Sequence, residues 1–196
     1  LTSRAYGGTY SRLLFRDHEE YKVSSCSIVP YSEEPTRRFL LNARYVNYSI
    51  DGQGCYHMRS ADGHVKTKNG SVFLNASYAP TEEVHMIEEL YERHPSNVEG
   101  LEDIRLFYHD GVLYANASSK NASANDKIEM VIGRYDVEHH RIHEVRIAEP
   151  PRPTGCEKNW IYAPAVKGLP VAAHGRMNFI YGWHPLEIGA LMDDHR

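Results

Sequence analysis

The chain has 196 residues, 41% of them hydrophobic and 24% charged, with a formal net charge of -4. That balance supplies a core for one good-sized domain and gives no electrostatic reason for nucleic acid or an anionic membrane as partner. No apolar run approaches the roughly 18 residues of a membrane-spanning helix, and a start at Leu1, without methionine or a charged-then-apolar leader, is expected of a processed product or a fragment.

In chain order, short strands joined by tight turns dominate. RFLLNARYVNYSI ends at Asp51-Gly52 and QGCYHMRSA ends at Asp62-Gly63. IRLFYH ends at Asp110-Gly111, and VLYANAS follows. Asp-Gly between alternating runs is a hairpin signal, because a type I′ turn needs positive φ at both central residues. KIEMVIGRYD and HRIHEVRI pair around VEHH, and RMNFIYGWHP is a further strand. Val, Ile, Tyr and Phe fill these runs, as strands prefer. Thr81 to His94, TEEVHMIEELYERH, differs: Val84, Ile87 and Leu90 have helical spacing, so it reads as a short helix or an irregular excursion. Pro150, Pro151 and Pro153 mark a rigid loop. Hairpin-rich units recurring every 50 to 60 residues or so suggest antiparallel blades, with a β-sandwich as the alternative. The fold class expected is all-β, in a single domain over 1–196.

Cys26, Cys55 and Cys156 are too few and too widely spaced for a disulfide or zinc framework and read as small buried hydrophobes. Asn47, Asn69, Asn75, Asn116 and Asn121 each open an Asn-x-Ser sequon, an excess that hints at a secretory route. His140 and His143 stand three apart, without the His-Glu-x-x-His pattern, so no metal is expected.

Three stretches can carry chemistry. GLEDIR sets Glu102, Asp103 and Arg105 before an apolar strand. In an extended chain Glu102 and Asp103 point to opposite sides, and Arg105 shares the side of Asp103. A carboxylate there can move a proton at a glycosidic oxygen, with the arginine on a phosphate or a hydroxyl; the spacing also fits a solvated turn. CEKNWIYAP offers Glu157, Lys158, Asn159 and Trp160, either a sugar platform or a strand start with the indole in the core. FIYGWHPLEIG adds Tyr181 and His184, and LLNARYVNYS adds Arg44 and Asn47, Arg44 facing opposite to Tyr45. Fourteen tyrosines and twelve histidines suit a surface that binds polar ligands.

The ordered set LLNARYVNYS, YERHPSNVEGLEDIRLFYHDGVLYA, CEKNWIY and MNFIYGWHPLEIG resembles the five-bladed β-propeller of glycoside hydrolase family 130 and its relatives, over about residues 22–190. It looks closest to sugar-acting propellers found alone or beside glycosyltransferase modules. The resemblance implies inverting phosphorolysis or hydrolysis of β-mannosides in a central pocket. Asp103 matches the general acid, Arg105 the arginine beside it, and Lys158 a basic residue near sugar or phosphate. Arg44 and His184 would complete an anion shell, and Glu157 could serve a hydrolase as base. Inorganic phosphate is the co-substrate such an enzyme needs; no cofactor is implied. A glycan is the expected partner, and an adjoining glycosyltransferase module is compatible with it. A mannosyltransferase and a non-catalytic sugar-binding propeller are the alternatives on the same scaffold. Two departures stand out. The family commonly has Glu-Asp-Pro-Arg where Ile104 replaces the proline, and about 300 residues make five blades, so 196 suffice for three or four.

Overall fold

The Asp110-Gly111 pair turns as its composition predicts: φ is 48° and 77° at the two positions, and the strands resume at once on either side. The other two Asp-Gly pairs sit in longer loops. Asp51 accepts from the Gln53 and Cys55 amides, and Asp62 accepts from the His64 amide, so each carboxylate folds its own loop.

The computed structural model describes residues 13–152, 154–164 and 175–192, and they form strands and loops without a helix. In chain order the strands are β1 (Lys22–Pro30), β2 (Phe39–Val46), β3 (Tyr48–Ile50), β4 (Tyr56–Met58), β5 (Val65–Leu74), β6 (His85–Met86), β7 (Glu88–Glu89) and β8 (Val98–Glu99). They continue as β9 (Glu102–His109), β10 (Val112–Ser119), β11 (Glu129–Asp136), β12 (Arg141–Ala148), β13 (Ile161–Ala163), β14 (Asn178–Trp183) and β15 (Leu186–Ala190). The first sheet runs β1-β2-β5-β6, with β8 added parallel to β5. The second runs β9-β10-β11-β12, with β7 added parallel to β12. The third is β13-β14-β15, and β3-β4 is a separate hairpin; none of these sheets closes on itself.

Residues Thr81 to His94 are extended, not helical. Their amides are claimed in turn by other strands. Ile87 donates to the Asn69 carbonyl, Glu88 to His140 and Leu90 to Ile142. Crossing from the first sheet to the second, the segment gains ladder bonds and buries Ile87, and tertiary pairing overrides helical spacing.

Alternation decides what each face buries. Leu41, Ala43 and Tyr45 of β2 and Val72 and Leu74 of β5 form one core with Tyr21. The opposite face turns toward the second sheet, and there Leu40 and Phe73 join Leu101, Ile104, Leu106 and Val131. A third core holds Phe107, Met130 and Ile132 against Trp160 and Phe179 of the third sheet. Along the face between the first two sheets the register pairs Leu40 with Phe73, Asn42 with Ser71 and Arg44 with Asn69. The seam thus passes from hydrocarbon to amide to guanidinium along β2.

Four of the five sequon asparagines, Asn47, Asn69, Asn116 and Asn121, are buried. Asn47 bonds to Ser60, His64 and Lys66. Asn121 accepts from Tyr91 and Ser119, and Asn116 donates to the Trp160 carbonyl. Asn75 accepts from the amides of Ser77 and Ala79. The buried four are structural. The cysteines also correct expectation: Cys26, Cys55 and Cys156 are exposed and free.

Gly100 links β8 to β9 with φ of +96°, and a Cβ there would lie 2.3 Å from the Thr67 carbonyl oxygen. Gly52 has open space around it and an ordinary φ. Gly100→Ala is expected to lose more than about 1 kcal/mol of unfolding free energy, and Gly52→Ala is expected to stay near wild type, both read by urea denaturation.

Candidate functional site

Asp103 does not follow the alternation an ideal strand would impose. Its φ is 52°, and Asp103 and Ile104 together oppose one residue of β10, because Glu102 pairs with Ser118 and Arg105 with Asn116. This β-bulge turns the backbone, so Glu102 and Asp103 reach the same partner instead of opposite sides. That partner is Arg44. Its Nη2 donates to Glu102 Oε1 at 2.6 Å and its Nη1 to Asp103 Oδ1 at 2.7 Å. Thr67 Oγ1 accepts from Nη2 at 3.3 Å. A second bulge lies opposite Arg44 itself, where the register of β1 shifts between Val23 and Cys26.

The two carboxylates are not equivalent. Glu102 is buried beside Arg44, which is 7% exposed. The Asp103 side chain is 44% exposed and opens on a cleft of about 470 Å³ lined by Ser25–Ser27, Asp103–Arg105 and Asn159. That size falls within the roughly 300–1,000 Å³ of small-molecule sites. Lys158 Nζ approaches Glu102 Oε2 at 4.0 Å, and Arg105 Nη2 donates to Asn159 Oδ1 at 3.4 Å. Asn159 also has positive φ, 64°. Asp and Asn take this conformation more readily than other residues with a Cβ. Two carboxylates, Glu102 and Asp103, meet three cations, Arg44, Arg105 and Lys158, so the cluster carries spare positive charge. Tyr48, half-buried, lies within electrostatic reach of Arg44, Glu102 and Asp103, and burial holds its hydroxyl above the usual range.

The other expected site residues divide. Glu157 is buried, accepting from Trp160 Nε1 at 3.1 Å and from the Thr154 hydroxyl. It holds the indole in the third core and does not face the cleft, which corrects its reading as a base or sugar ligand. Trp160 is likewise a core residue, and Asn47 spends its amide on the turn before β5. Tyr181 packs edge-on against Trp160 with ring centroids 5.3 Å apart, next to Arg152. His184 is exposed in the β14–β15 turn. Ile161 pairs with Ile180, so this turn lies at the end of the sheet where Lys158 and Asn159 enter it. Ser25, Cys26, Ser27, Thr67 and Tyr48 were missed. Their residue types are ordinary, and only the bulge in β1 and the pairing of sheets bring them in.

Glu89 was missed too. Its side chain is 4% exposed; Asn69 Nδ2 donates to Oε1 at 2.9 Å and Arg93 Nη2 to Oε2 at 3.3 Å. Burial outweighs these bonds and pushes its carboxyl up to about 7. Asn69 continues to Asn42 and on to the Tyr135 hydroxyl, each at 3.0 Å, and burial raises that hydroxyl as well.

No protein-family model, curated protein or solved structure matches the chain. Among the described residues no group of three or more His, Cys, Asp or Glu could hold a metal ion, and no helix is long and apolar enough to cross a membrane.

Arg44→Ala strands Glu102 as a buried charge, and a loss of about 3–5 kcal/mol in unfolding free energy is expected, measured by denaturant titration. Glu89 gives a pH dependence of definite sign. The folded carboxyl holds its proton more tightly than the unfolded one, whose ordinary value is 4.5. The stability it contributes is fully present below pH 4.5 and is lost as pH rises through about 7. The loss is on the order of 3 kcal/mol, and Glu89→Gln flattens it in parallel denaturations at pH 5 and pH 8.

Proposed function

We propose that the chain forms part of a sugar-acting β-propeller, with its three main sheets as successive blades, and that it works as an inverting β-mannoside phosphorylase with Asp103 as general acid. The sheet order supports the architecture. β1 and β2, β9 to β12, and β13 to β15 are laid down in chain order by antiparallel neighbours, and the first strands of two sheets meet, with the Leu106 amide donating to Ser27 Oγ at 2.9 Å. The observation that carries the function is the cleft in front of Asp103. There a half-exposed carboxylate stands beside Arg105 and Asn159, with Lys158 close behind.

An acid and an anion site are the two parts phosphorolysis needs. Asp103 protonates the glycosidic oxygen as the bond to the anomeric carbon breaks. Phosphate, held by cations, attacks that carbon from the opposite face and leaves as a glycosyl phosphate of inverted configuration. Hydrolysis needs a second carboxylate some 6.5–9.5 Å away as base. Asp103 is the carboxylate lining the described cleft, and Glu157 is occupied by Trp160 and Thr154, which favours phosphorolysis over hydrolysis.

A second reading has its own support. Arg44 holds Asp103 Oδ1 at 2.7 Å, so that oxygen already has a strong donor. A pocket of this kind suits binding of a sugar or its phosphate without turnover, and a transferase with an activated mannose donor would use the same cations.

The test incubates the protein with β-linked mannosides, with and without inorganic phosphate, beside Asp103→Asn. Phosphate-dependent mannose 1-phosphate at a rate at least about 100-fold above the variant is expected, the usual scale of general-acid assistance. Calorimetric sugar binding without product, equal in both proteins, would replace the enzyme with the binding module.

A further inference from the structure

Glu89 lies outside the cleft of Asp103, yet it grips the same short segment, Gly100 to Asp103. The Asn69 amide that donates to Glu89 Oε1 also donates to the Leu101 carbonyl at 2.8 Å. The Leu101 N–H lies on the Glu89 carboxyl's side and favours its ionised form. The Leu101 carbonyl is therefore held by an amide side chain that the Glu89 carboxyl holds in turn. Glu102 and Asp103 come next in the chain. Gly100, packed on the Thr67 carbonyl, fixes the near end of the segment, and Arg44 fixes the far end.

We propose that Glu89 is a positioning residue: through Asn69 and the backbone of Leu101 it sets where Glu102 and Asp103 meet Arg44, and its protonation state changes that placement. The functional weight of the inference rests on the reading of Asp103 as the reactive group. Ionised, the carboxylate accepts from the Asn69 amide in a charge-assisted bond, the stronger kind, and attracts the nearby Leu101 N–H. Protonated, one oxygen becomes a donor and must seek an acceptor, so the grip on Leu101 slackens on that side. Burial places the exchange between the two states in the neutral range.

The surroundings leave Glu89 as the group that can switch. Arg93 touches it and is itself stacked over Tyr91. Tyr91 and Tyr135 feel its charge, and both hydroxyls are raised by burial. Lys68, on the rim of the cleft outside Glu89, is drawn off to Glu19 and over the ring of Tyr21. Glu88 and His18 line the same rim, so a variant of Glu89 itself must decide the assignment.

The experiment follows backbone amide resonances of Gly100, Leu101 and Asp103 in a 15N-labelled full chain from pH 5 to pH 9, with no substrate present. The expected result is one shared titration of Leu101 and Asp103 with a midpoint near 7, absent in Glu89→Gln and retained in Glu88→Gln. Movement of Leu101 with Asp103 still, no titration in wild type, or an unchanged titration in Glu89→Gln would each overturn the inference. Should Glu89→Gln not fold, Glu89→Asp takes its place: its shorter side chain must displace the shared midpoint, and an unmoved midpoint overturns the inference. Because nothing is turned over, silence in the mannoside assay would defeat the enzyme reading and leave this result standing.

Discussion

Arg44 brings a permanent charge into the seam between two sheets, where water reaches little of it, and the fold is arranged so that the charge is answered. A guanidinium in such a place is tolerable only with acceptors at contact distance. Glu102, Asp103 and Thr67 supply them from two sheets. Bringing two consecutive carboxylates to one guanidinium is incompatible with the two-residue repeat of a strand, and the bulge at Asp103 resolves the conflict at the cost of a left-handed backbone. The site is therefore a by-product of solving a desolvation problem, and its geometry is as stiff as the packing around it.

That stiffness extends through a polar spine. Arg44, Asn42, Asn69, Glu89 and Tyr135 share the face between the sheets with Leu40 and Phe73. Each amide serves two or more partners, so a change at one end is felt along the row. A purely apolar seam would hold the sheets together as well or better. The spine instead fixes one register, since a slip by a residue would swing every one of these groups onto the opposite face.

Much of this was legible in the sequence, and the failures have physical causes. The strands and the hairpin at Asp110-Gly111 could be anticipated from alternation and turn chemistry; the meeting of Glu102 and Asp103 on Arg44 could not, because alternation sets them on opposite sides and the bulge brings them together. Asn159 lines the cleft of Asp103, and Lys158 lies beside Glu102. Trp160 lies in the core, one of the two readings left open, because an indole beside a carboxylate reads the same whether it stacks on a sugar or caps its own core. Thr81 to His94 could be read as a helix or an irregular excursion, and the excursion holds because its amides find partners only after two distant sheets are in place. Glu89 gave no local signal: its environment is made by Asn69 and Leu101, twenty and twelve residues away, and by Arg93.

The buried asparagines have a consequence for biogenesis. Asn47, Asn69, Asn116 and Asn121 each stand in an acceptor triplet, and each has its side-chain amide sealed inside the finished fold. An oligosaccharide attached to any of them while the chain was still unfolded could not be accommodated between the sheets. Modification at any of the four and folding are thus mutually exclusive fates, decided by whichever comes first. Any host that glycosylates the nascent chain at one of the four would yield two populations, and only the one free of a glycan at these positions would reach the structure described.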